Sequence, residues 1–193
     1  MLNFERFCCH YPFINYPGGS VGNQCNAGAG QANLLNVVSL ATGPDGSLYI
    51  GDFNLIRKVS QPDGEIFTVF QFEDTQRAFD YDLTLSPFDG KLYLSNAKKH
   101  QIWALKSLVR KDVKNPRKNW EIVVGTGDRC VPGDDCGDNG LALKAKLNYP
   151  KGLAISLDGT MYISDGRNIR VVTPAGRVQT LIGTQARPKG PPR

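Results

Sequence analysis

Three segments of the sequence align with one another without gaps, and this internal repeat limits the folds open to the chain. Each segment runs from an alternating apolar stretch through an Asp-Gly pair into an apolar-Tyr-apolar triplet, and Asp or Asn follows one or two positions later. The repeats occupy Val38–Arg57, Asp82–Asn96 and Lys151–Arg170. Such a pattern is typical of proteins in which one supersecondary unit recurs and packs against its neighbours.

The Asp-Gly pairs predict the local structure of each repeat. Asp-Gly between two alternating apolar runs favours a hairpin with a type I′ turn, in which both central residues take positive φ. We therefore expect paired strands around Asp45-Gly46, Asp89-Gly90 and Asp158-Gly159. A second hairpin follows in the first and third repeats, with turns at Asp63-Gly64 and Ala175-Gly176. Two hairpins in series form a four-stranded antiparallel meander, which is the unit of a β-propeller blade.

The spacing of the repeats locates two insertions and predicts the domain organisation. The first two Asp-Gly turns lie 44 residues apart, whereas the second and third lie 69 apart. The excess falls in a basic segment, Lys106–Lys118, and in a loop, Cys130–Gly140. We predict an all-β fold, a propeller fragment of about three four-stranded antiparallel blades over residues 31–184. Residues 1–30 are predicted to be irregular, and residues 185–193 form a tail rich in Pro, Gly and basic residues.

The positive charge is concentrated in one part of the chain. The net charge is +5, but Lys98–Lys118 alone holds eight Lys or Arg against one acid. We predict a candidate interaction loop there, formed by Lys111, Lys114, Arg117, Lys118 and Trp120. The alternative is a solvated insertion that binds nothing. The segment also suits contact with an acidic partner or a glycan.

An RNA-binding surface is a further interpretation of these cations, together with Arg57 and Arg170. Single-stranded RNA is usually held on aromatic side chains that stack on the bases. Apart from Trp103 and Trp120, no aromatic residue is interleaved with the basic segment. We therefore expect no nucleic-acid partner.

The five cysteines carry information about the compartment. Cys130 and Cys136 are six positions apart in a loop rich in Gly, Pro and Asp, a spacing that suits a short local disulfide. The alternative is two free thiols in a reducing compartment. The partners of Cys8, Cys9 and Cys25 cannot be read from the spacing.

The sequence shows no pattern typical of a catalytic or metal site. The only histidines are His10 and His100, and neither lies near a nucleophile motif. The acidic residues near Asp134 and Asp138 do not have the spacing of an EF-hand. Carboxylates or amides end the second strand of every repeat, and this recurrence favours a structural capping role; they are Asp52, Asn96 and Asp165. We predict no catalytic residue, no metal and no cofactor.

No apolar run approaches the roughly 18 residues of a membrane helix. The first ten residues also lack the basic and apolar regions of a signal peptide. We therefore expect this chain to reach a membrane only through parts of a protein outside it.

The third repeat resembles a known family. Its run Pro150-Lys-Gly-Leu-Ala-Ile-Ser-Leu-Asp-Gly-Thr-Met-Tyr-Ile-Ser-Asp165, followed by Asn168-Ile-Arg170, is similar to an NHL repeat. Two further stretches, Cys25-Asn-Ala-Gly-Ala-Gly-Gln31 and Val124-Gly-Thr-Gly-Asp-Arg-Cys130, resemble the NHL propeller of teneurins. The resemblance extends over about Cys25 to Gly183.

Teneurins are single-pass cell-surface adhesion proteins with EGF-like modules, which this chain lacks. The resemblance implies a non-enzymatic, extracellular interaction module that acts in cell adhesion and signalling, including neuron development. Its partners would be proteins, through homophilic teneurin contact or a latrophilin-like receptor. Two alternatives remain at this point: an intracellular NHL propeller that binds RNA, and a propeller hydrolase or lyase.

Overall fold

The computed structural model describes residues 32–73 and 80–183. The predicted segments 1–30 and 185–193 lie outside these residues. The described residues form twelve strands: β1 Val37–Thr42, β2 Leu48–Asp52, β3 Leu55–Val59, β4 Ile66–Gln71, β5 Tyr81–Leu85, β6 Leu92–Asn96, β7 Gln101–Leu105, β8 Trp120–Val124, β9 Pro150–Ile155, β10 Met161–Asp165, β11 Asn168–Val172 and β12 Val178–Ile182. Short 3₁₀ turns in the same part of the chain cover Ala97–Lys99, Arg110–Asp112, Pro116–Lys118 and Ala142–Lys144.

The strands form three separate four-stranded antiparallel sheets, each in sequence order. We name the sheets blade 1 (β1–β4), blade 2 (β5–β8) and blade 3 (β9–β12). The first strands, β1, β5 and β9, are neighbours, so the blades radiate from a shared centre. The predicted all-β fold of three propeller blades is confirmed.

The Asp-Gly turns connect the expected strands but are not of the expected type. Positive φ occurs at Gly46, Gly90 and Gly159, whereas the preceding aspartates do not take it. In blade 1 the Gly43 N–H donates to the Ser47 carbonyl, which closes a three-residue loop with its glycine in the left-handed region. The prediction of type I′ turns was therefore wrong.

The aspartate of each turn acts instead as a side-chain acceptor. Asp45 accepts from the Ser47 N–H at 3.0 Å, and Asp158 accepts from the Thr160 N–H at 3.0 Å. These hydrogen bonds lower the pKa of Asp45, chiefly through the Ser47 N–H, and that of Asp158, chiefly through the Ser156 hydroxyl. Asp-Gly is therefore a hairpin signal here because Asp closes the turn and Gly supplies the positive φ.

The two larger hydrophobic cores of the described residues lie between blades, whereas a smaller third one, with Ile50, Val59 and Ile66, lies on blade 1 alone. Between blades 1 and 2, Phe72 packs at 5.0 Å from Tyr81, and Phe70 meets Trp103 edge to face at 5.9 Å. A second core between blades 2 and 3 contains the fully buried Leu147 and Ile163. Because each of the two larger cores needs two blades, neighbouring blades stabilise one another.

The tyrosine that recurs in each repeat is buried where a neighbouring blade packs against it. Tyr49 is 2% exposed in the first core, and Tyr93 packs against the second. Tyr162 is 39% exposed, since no blade covers that side of blade 3 among the described residues.

Asp82 links all three blades near the centre. Its carboxylate accepts from the Ser39 hydroxyl of blade 1 at 2.9 Å and from the Leu153 N–H of blade 3 at 3.4 Å. The Thr84 hydroxyl donates to the Leu153 carbonyl at 2.7 Å. These polar contacts fix the lateral order of the inner strands.

Candidate interaction sites

The connections between strands fall at two ends of the blades. One end, here called the hairpin end, carries the turns at 43–47, 86–91 and 156–160 together with the insertion 106–119. The opposite end, here called the loop end, carries the turn at 97–100 and the long connection 125–149 between blades 2 and 3. Each end therefore presents one of the two insertions that the sequence predicts.

The structure joins Cys130 and Cys136 in a disulfide, with their Cα atoms 5.4 Å apart. The bond lies in the connection 125–149, which we call the disulfide loop. Cys136 is fully buried and has φ of +54°, a left-handed conformation that side chains rarely adopt. The Cys130 N–H donates to the Leu147 carbonyl at 2.9 Å, so both ends of the loop are tied together.

Arg170 on β11 fixes the disulfide loop to blade 3. Its guanidinium is fully buried and donates to the Asp138 carboxylate at 2.8 Å and to the Cys136 carbonyl at 3.3 Å. It also reaches the Lys146 carbonyl at 3.3 Å and the buried carboxylate of Asp165 at 3.5 Å. Burial raises the pKa of Asp165, while the Asn148 N–H and Arg170 oppose that rise. Arg170 is therefore committed to structure, and its interpretation as an RNA contact was wrong.

Blade 1 contains a looser version of this arrangement. Arg57 occupies the same register position as Arg170, since Arg57 pairs with Ile50 and Arg170 with Ile163. Asp52 accepts from the Leu35 and Asn36 N–H groups at 2.7 and 2.8 Å, as Asp165 does from Asn148. Arg57 lies 3.9 Å from Asp52 and donates to the Asn33 carbonyl at 3.1 Å. Sequence reasoning missed the pair, although Asp followed by Arg five positions later in two repeats was an available signal.

Blade 2 departs from the pattern. Trp103 takes the register position of the two arginines, opposite Leu94. Asn96 takes the position of the aspartates and accepts from the Lys99 N–H at 3.0 Å. The predicted structural role is therefore confirmed in all three blades, but only Asn96 caps its own turn, because Asp52 and Asp165 accept from the segments that precede their blades.

An aromatic and cationic cluster lies at the loop end. The Tyr149 N–H donates to Nδ1 of His100 at 3.1 Å, and the two rings meet edge to face at 4.6 Å. Arg129 lies over the Tyr149 ring, 4.8 Å from its centroid, and its Nε donates to Asn148. Burial and the Arg129 cation lower the pKa of His100, so the imidazole is neutral and can accept.

The acidic side chains of the disulfide loop are held by protein groups. Asp134 pairs with Lys146 at 2.8 Å, which lowers the pKa of Asp134. Asp135 accepts from the Gly137 N–H at 2.9 Å, and Asp138 pairs with Arg170. Within the described residues no three His, Cys, Asp or Glu side chains are grouped as metal ligands would be.

At the hairpin end, the predicted interaction loop is a folded segment. Asn119 is buried, and its amide donates to the Ser107 carbonyl at 2.7 Å and across the blade boundary to the Val69 carbonyl at 2.8 Å. Arg110 forms an ion pair with Glu65 of the blade 1 turn. The Pro116–Lys118 turn also lies against β4. We call residues 106–119 the basic platform.

The residues predicted to form the interaction loop differ in their exposure and in the element to which they belong. Lys111, Lys114 and Lys118 are exposed, and Arg117 is half-buried. Trp120 is not a loop residue: it begins β8, and its ring stacks on Trp103 at 4.3 Å. Its Nε1 donates to the Arg117 carbonyl at 3.0 Å. Because one face of its ring packs on Trp103 and the residue is half-buried, Trp120 chiefly supports the platform from β8.

Within the described residues, the structure contains no helix with the length and hydrophobicity that a membrane-spanning helix requires.

Comparison with solved structures identifies the fold. A protein of unknown function from Bacteroides thetaiotaomicron matches 78% of this chain and 36% of its own, with a TM-score of 0.59 and 19% identity. An auxiliary nutrient binding protein from Bacteroides ovatus matches 79% of this chain and 37% of its own, with a TM-score of 0.58 and 21% identity. At these identities the likeness shows the fold alone.

Comparison at the sequence level identifies the family. Teneurin-m of Drosophila melanogaster is 49% identical over 161 residues, and human Teneurin-1 is 40% identical over 162 residues. These matches cover 82% and 83% of this chain, but the chain spans only 6% of the length of either relative. The model of the Teneurin NHL domain family matches residues 19–192. The chain therefore belongs to the teneurin NHL domain family.

Proposed function

We propose that the chain is a non-enzymatic protein-interaction module of a teneurin-like cell-surface protein. In this role it serves cell–cell adhesion and signalling in neural or tissue development. Its partner is a second teneurin or a latrophilin-like receptor, and its location is the extracellular face of the plasma membrane. Its parent protein crosses the membrane once, outside this chain.

The exposed apolar side chains of the disulfide loop carry the proposal. Val131 is 50% exposed, Leu143 is 55% exposed and Tyr149 is 44% exposed, all within one connection. Arg129 covers one face of the Tyr149 ring. Protein interfaces are enriched in aromatic residues and arginine, and exposed apolar side chains there gain from being buried.

The support beneath this surface is rigid. The disulfide and the buried Arg170 hold the loop from below, so little conformational entropy is lost when a partner binds. A short local disulfide also suits an oxidising compartment, which favours the extracellular interpretation over an intracellular RNA-binding one.

The geometry offers less support to a hydrolase or lyase. A gluconolactonase from Xanthomonas campestris shares the fold, with a TM-score of 0.52, 12% identity and coverage of 78% of this chain and 48% of its own. In this chain, however, the recurring carboxylates Asp52 and Asp165 accept hydrogen bonds from backbone N–H groups of the segments that lead into their blades. A carboxylate engaged in this way is poorly placed to transfer a proton to a substrate.

The test is an aggregation assay with the chain displayed, within its parent protein, on cells that do not otherwise adhere. Val131→Asp combined with Leu143→Asp should abolish aggregation with teneurin-bearing or receptor-bearing cells. Leu157→Asp is the matched control, because Leu157 is 81% exposed at the hairpin end. Equal loss of adhesion in both variants, or unchanged adhesion in the double variant, would contradict the proposal.

A further inference from the structure

The basic platform is an asymmetric addition to the propeller. Blade 1 makes the corresponding connection between its third and fourth strands with residues 60–65, and blade 3 makes it with residues 173–177. Blade 2 uses residues 106–119 for the same step. Because blades 1 and 3 complete their sheets with much shorter connections, the longer connection of blade 2 is not needed for folding and is free to serve a specific function.

The platform is folded, which distinguishes it from a solvated charge run. Two 3₁₀ turns, Arg110–Asp112 and Pro116–Lys118, shape its backbone. Asn115 caps the second turn by accepting from the Arg117 N–H at 3.1 Å, and Asn119 closes the segment onto blade 1. The positions of its basic side chains are therefore restricted before any ligand arrives.

The lysines on this platform lack carboxylate partners within the described residues. Apart from Arg110, which pairs with Glu65, none of its basic side chains forms an ion pair with another described residue. The exposed lysines are Lys106, Lys111, Lys114 and Lys118. Asp112 is the single acid of the segment. Unpaired lysines on one surface create a positive potential that attracts a polyanion.

The aromatic and apolar side chains in and near the platform indicate which class of polyanion it would bind. Residues 106–119 contain no aromatic side chain, and the half-buried Trp120 stacks one face of its ring on the buried Trp103, so the platform offers no series of aromatic faces for nucleic-acid bases. Val109 is the only large apolar side chain of residues 106–119 that is strongly exposed, which is little for a folded protein partner. The remaining ligand class is a linear chain whose binding energy comes almost entirely from its charges.

We propose that the basic platform is a binding site for a sulfated polysaccharide of the extracellular matrix or cell surface. The proposal goes beyond the protein contact of the disulfide loop, which lies at the opposite end, and it rests on the extracellular location proposed above. Lysines act as hydrated point charges that pair with sulfate groups through counterion release. The same chain could then bind a protein at the loop end and a glycan at the hairpin end.

Binding of the purified full chain to heparin, measured against salt concentration, tests the proposal. The test variant combines Lys111→Glu, Lys114→Glu and Lys118→Glu. The control combines Lys99→Glu, Lys144→Glu and Arg167→Glu, three exposed cations at or near the loop end, and gives the same change in net charge. We expect the test variant to lose at least about tenfold in affinity and the control to stay within about twofold. A third variant, Lys→Arg at the three platform positions, should retain binding and so separates loss of charge from misfolding.

The specificity of the ligand is tested with desulfated heparin, polyglutamate and single-stranded RNA. Desulfated heparin should bind at least about tenfold more weakly, and the slope of log affinity against log salt should fall by about two to three in the test variant. Equal losses in test and control variants would show a general charge effect and overturn the proposal. Binding of polyglutamate or RNA as tight as that of heparin would assign the platform to another class of partner. Because binding is measured on purified protein, these outcomes are independent of the adhesion assay.

Discussion

Arg170 donates to Asp138 at 2.8 Å with a fully buried guanidinium, and this ion pair joins the core of blade 3 to the disulfide loop. The same arginine lies 3.5 Å from Asp165, which is 1% exposed. A single side chain thus neutralises one buried carboxylate and positions the connection that we propose as a protein-binding surface. Its removal should affect both stability and loop geometry.

We expect Arg170→Met to lower the free energy of unfolding by about 3–5 kcal/mol, because it leaves Asp165 buried without its cation. Urea denaturation followed by tryptophan fluorescence measures the change. Adding Asp165→Asn should restore part of the loss, since the uncompensated charge is then gone. Arg57→Met is the matched control in blade 1 and should cost less, because its side chain is partly exposed and its carboxylate partner is 3.9 Å away. Equal costs at Arg57 and Arg170 would contradict this account.

The disulfide should contribute to stability because it lowers the conformational entropy of the unfolded chain. For a loop as small as that between Cys130 and Cys136, the chain-entropy model gives about 2 kcal/mol. We expect Cys130→Ala with Cys136→Ala to lose roughly this amount in thermal or chemical denaturation. Mass spectrometry of secreted protein, alkylated with and without reduction, should show these two cysteines protected until reduction. Free thiols at both positions, with poor secretion, would count against the extracellular location.

The sequence predicted the blades well because hairpins are encoded locally. Alternating apolar residues, glycine at the turns and the longer spacing before the third repeat were enough to predict three four-stranded blades and both insertions, although the second hairpin of blade 2, β7–β8, was not located. The burial of Arg170 was not predictable in the same way, since it depends on Asp138, 32 positions earlier and in a different structural unit. Asn119 was missed for the same reason, because its partner Val69 belongs to another blade. Trp120 was assigned to a loop because the end of an insertion has no sharp local signal.

The contact between His100 and Tyr149 should make stability depend on pH. The pKa of His100 is lowered by burial and by the Arg129 cation, so the unfolded chain takes up a proton at higher pH than the folded chain. The stability from neutral His100 is fully present above the unfolded pKa of about 6.5 and is lost as the pH falls through the folded pKa. Protonation of Nδ1 also removes the acceptor for the Tyr149 N–H.

The measurement is unfolding free energy at about pH 7.5 and about pH 5 for the parent chain and His100→Asn. Asn tolerates the φ of +54° at this position and does not titrate. The parent should lose more stability between the two pH values than the variant. An identical pH dependence in both proteins would show that His100 does not contribute to it.

The folded state of the basic platform depends on Asn119, and this dependence can be observed separately from binding. Asn119→Ala removes two donated hydrogen bonds and leaves the Val69 carbonyl without this partner, at a cost of about 1–3 kcal/mol. Freed from blade 1, the segment should be cut faster by trypsin at Lys111 and Lys114, under conditions in which the rest of the chain stays folded. Asn115→Ala removes only an exposed cap and should change cleavage much less. If the platform must be ordered to hold its lysines for a sulfated chain, heparin should slow cleavage in the parent but protect Asn119→Ala less, whereas equal protection would mean that charge alone is sufficient.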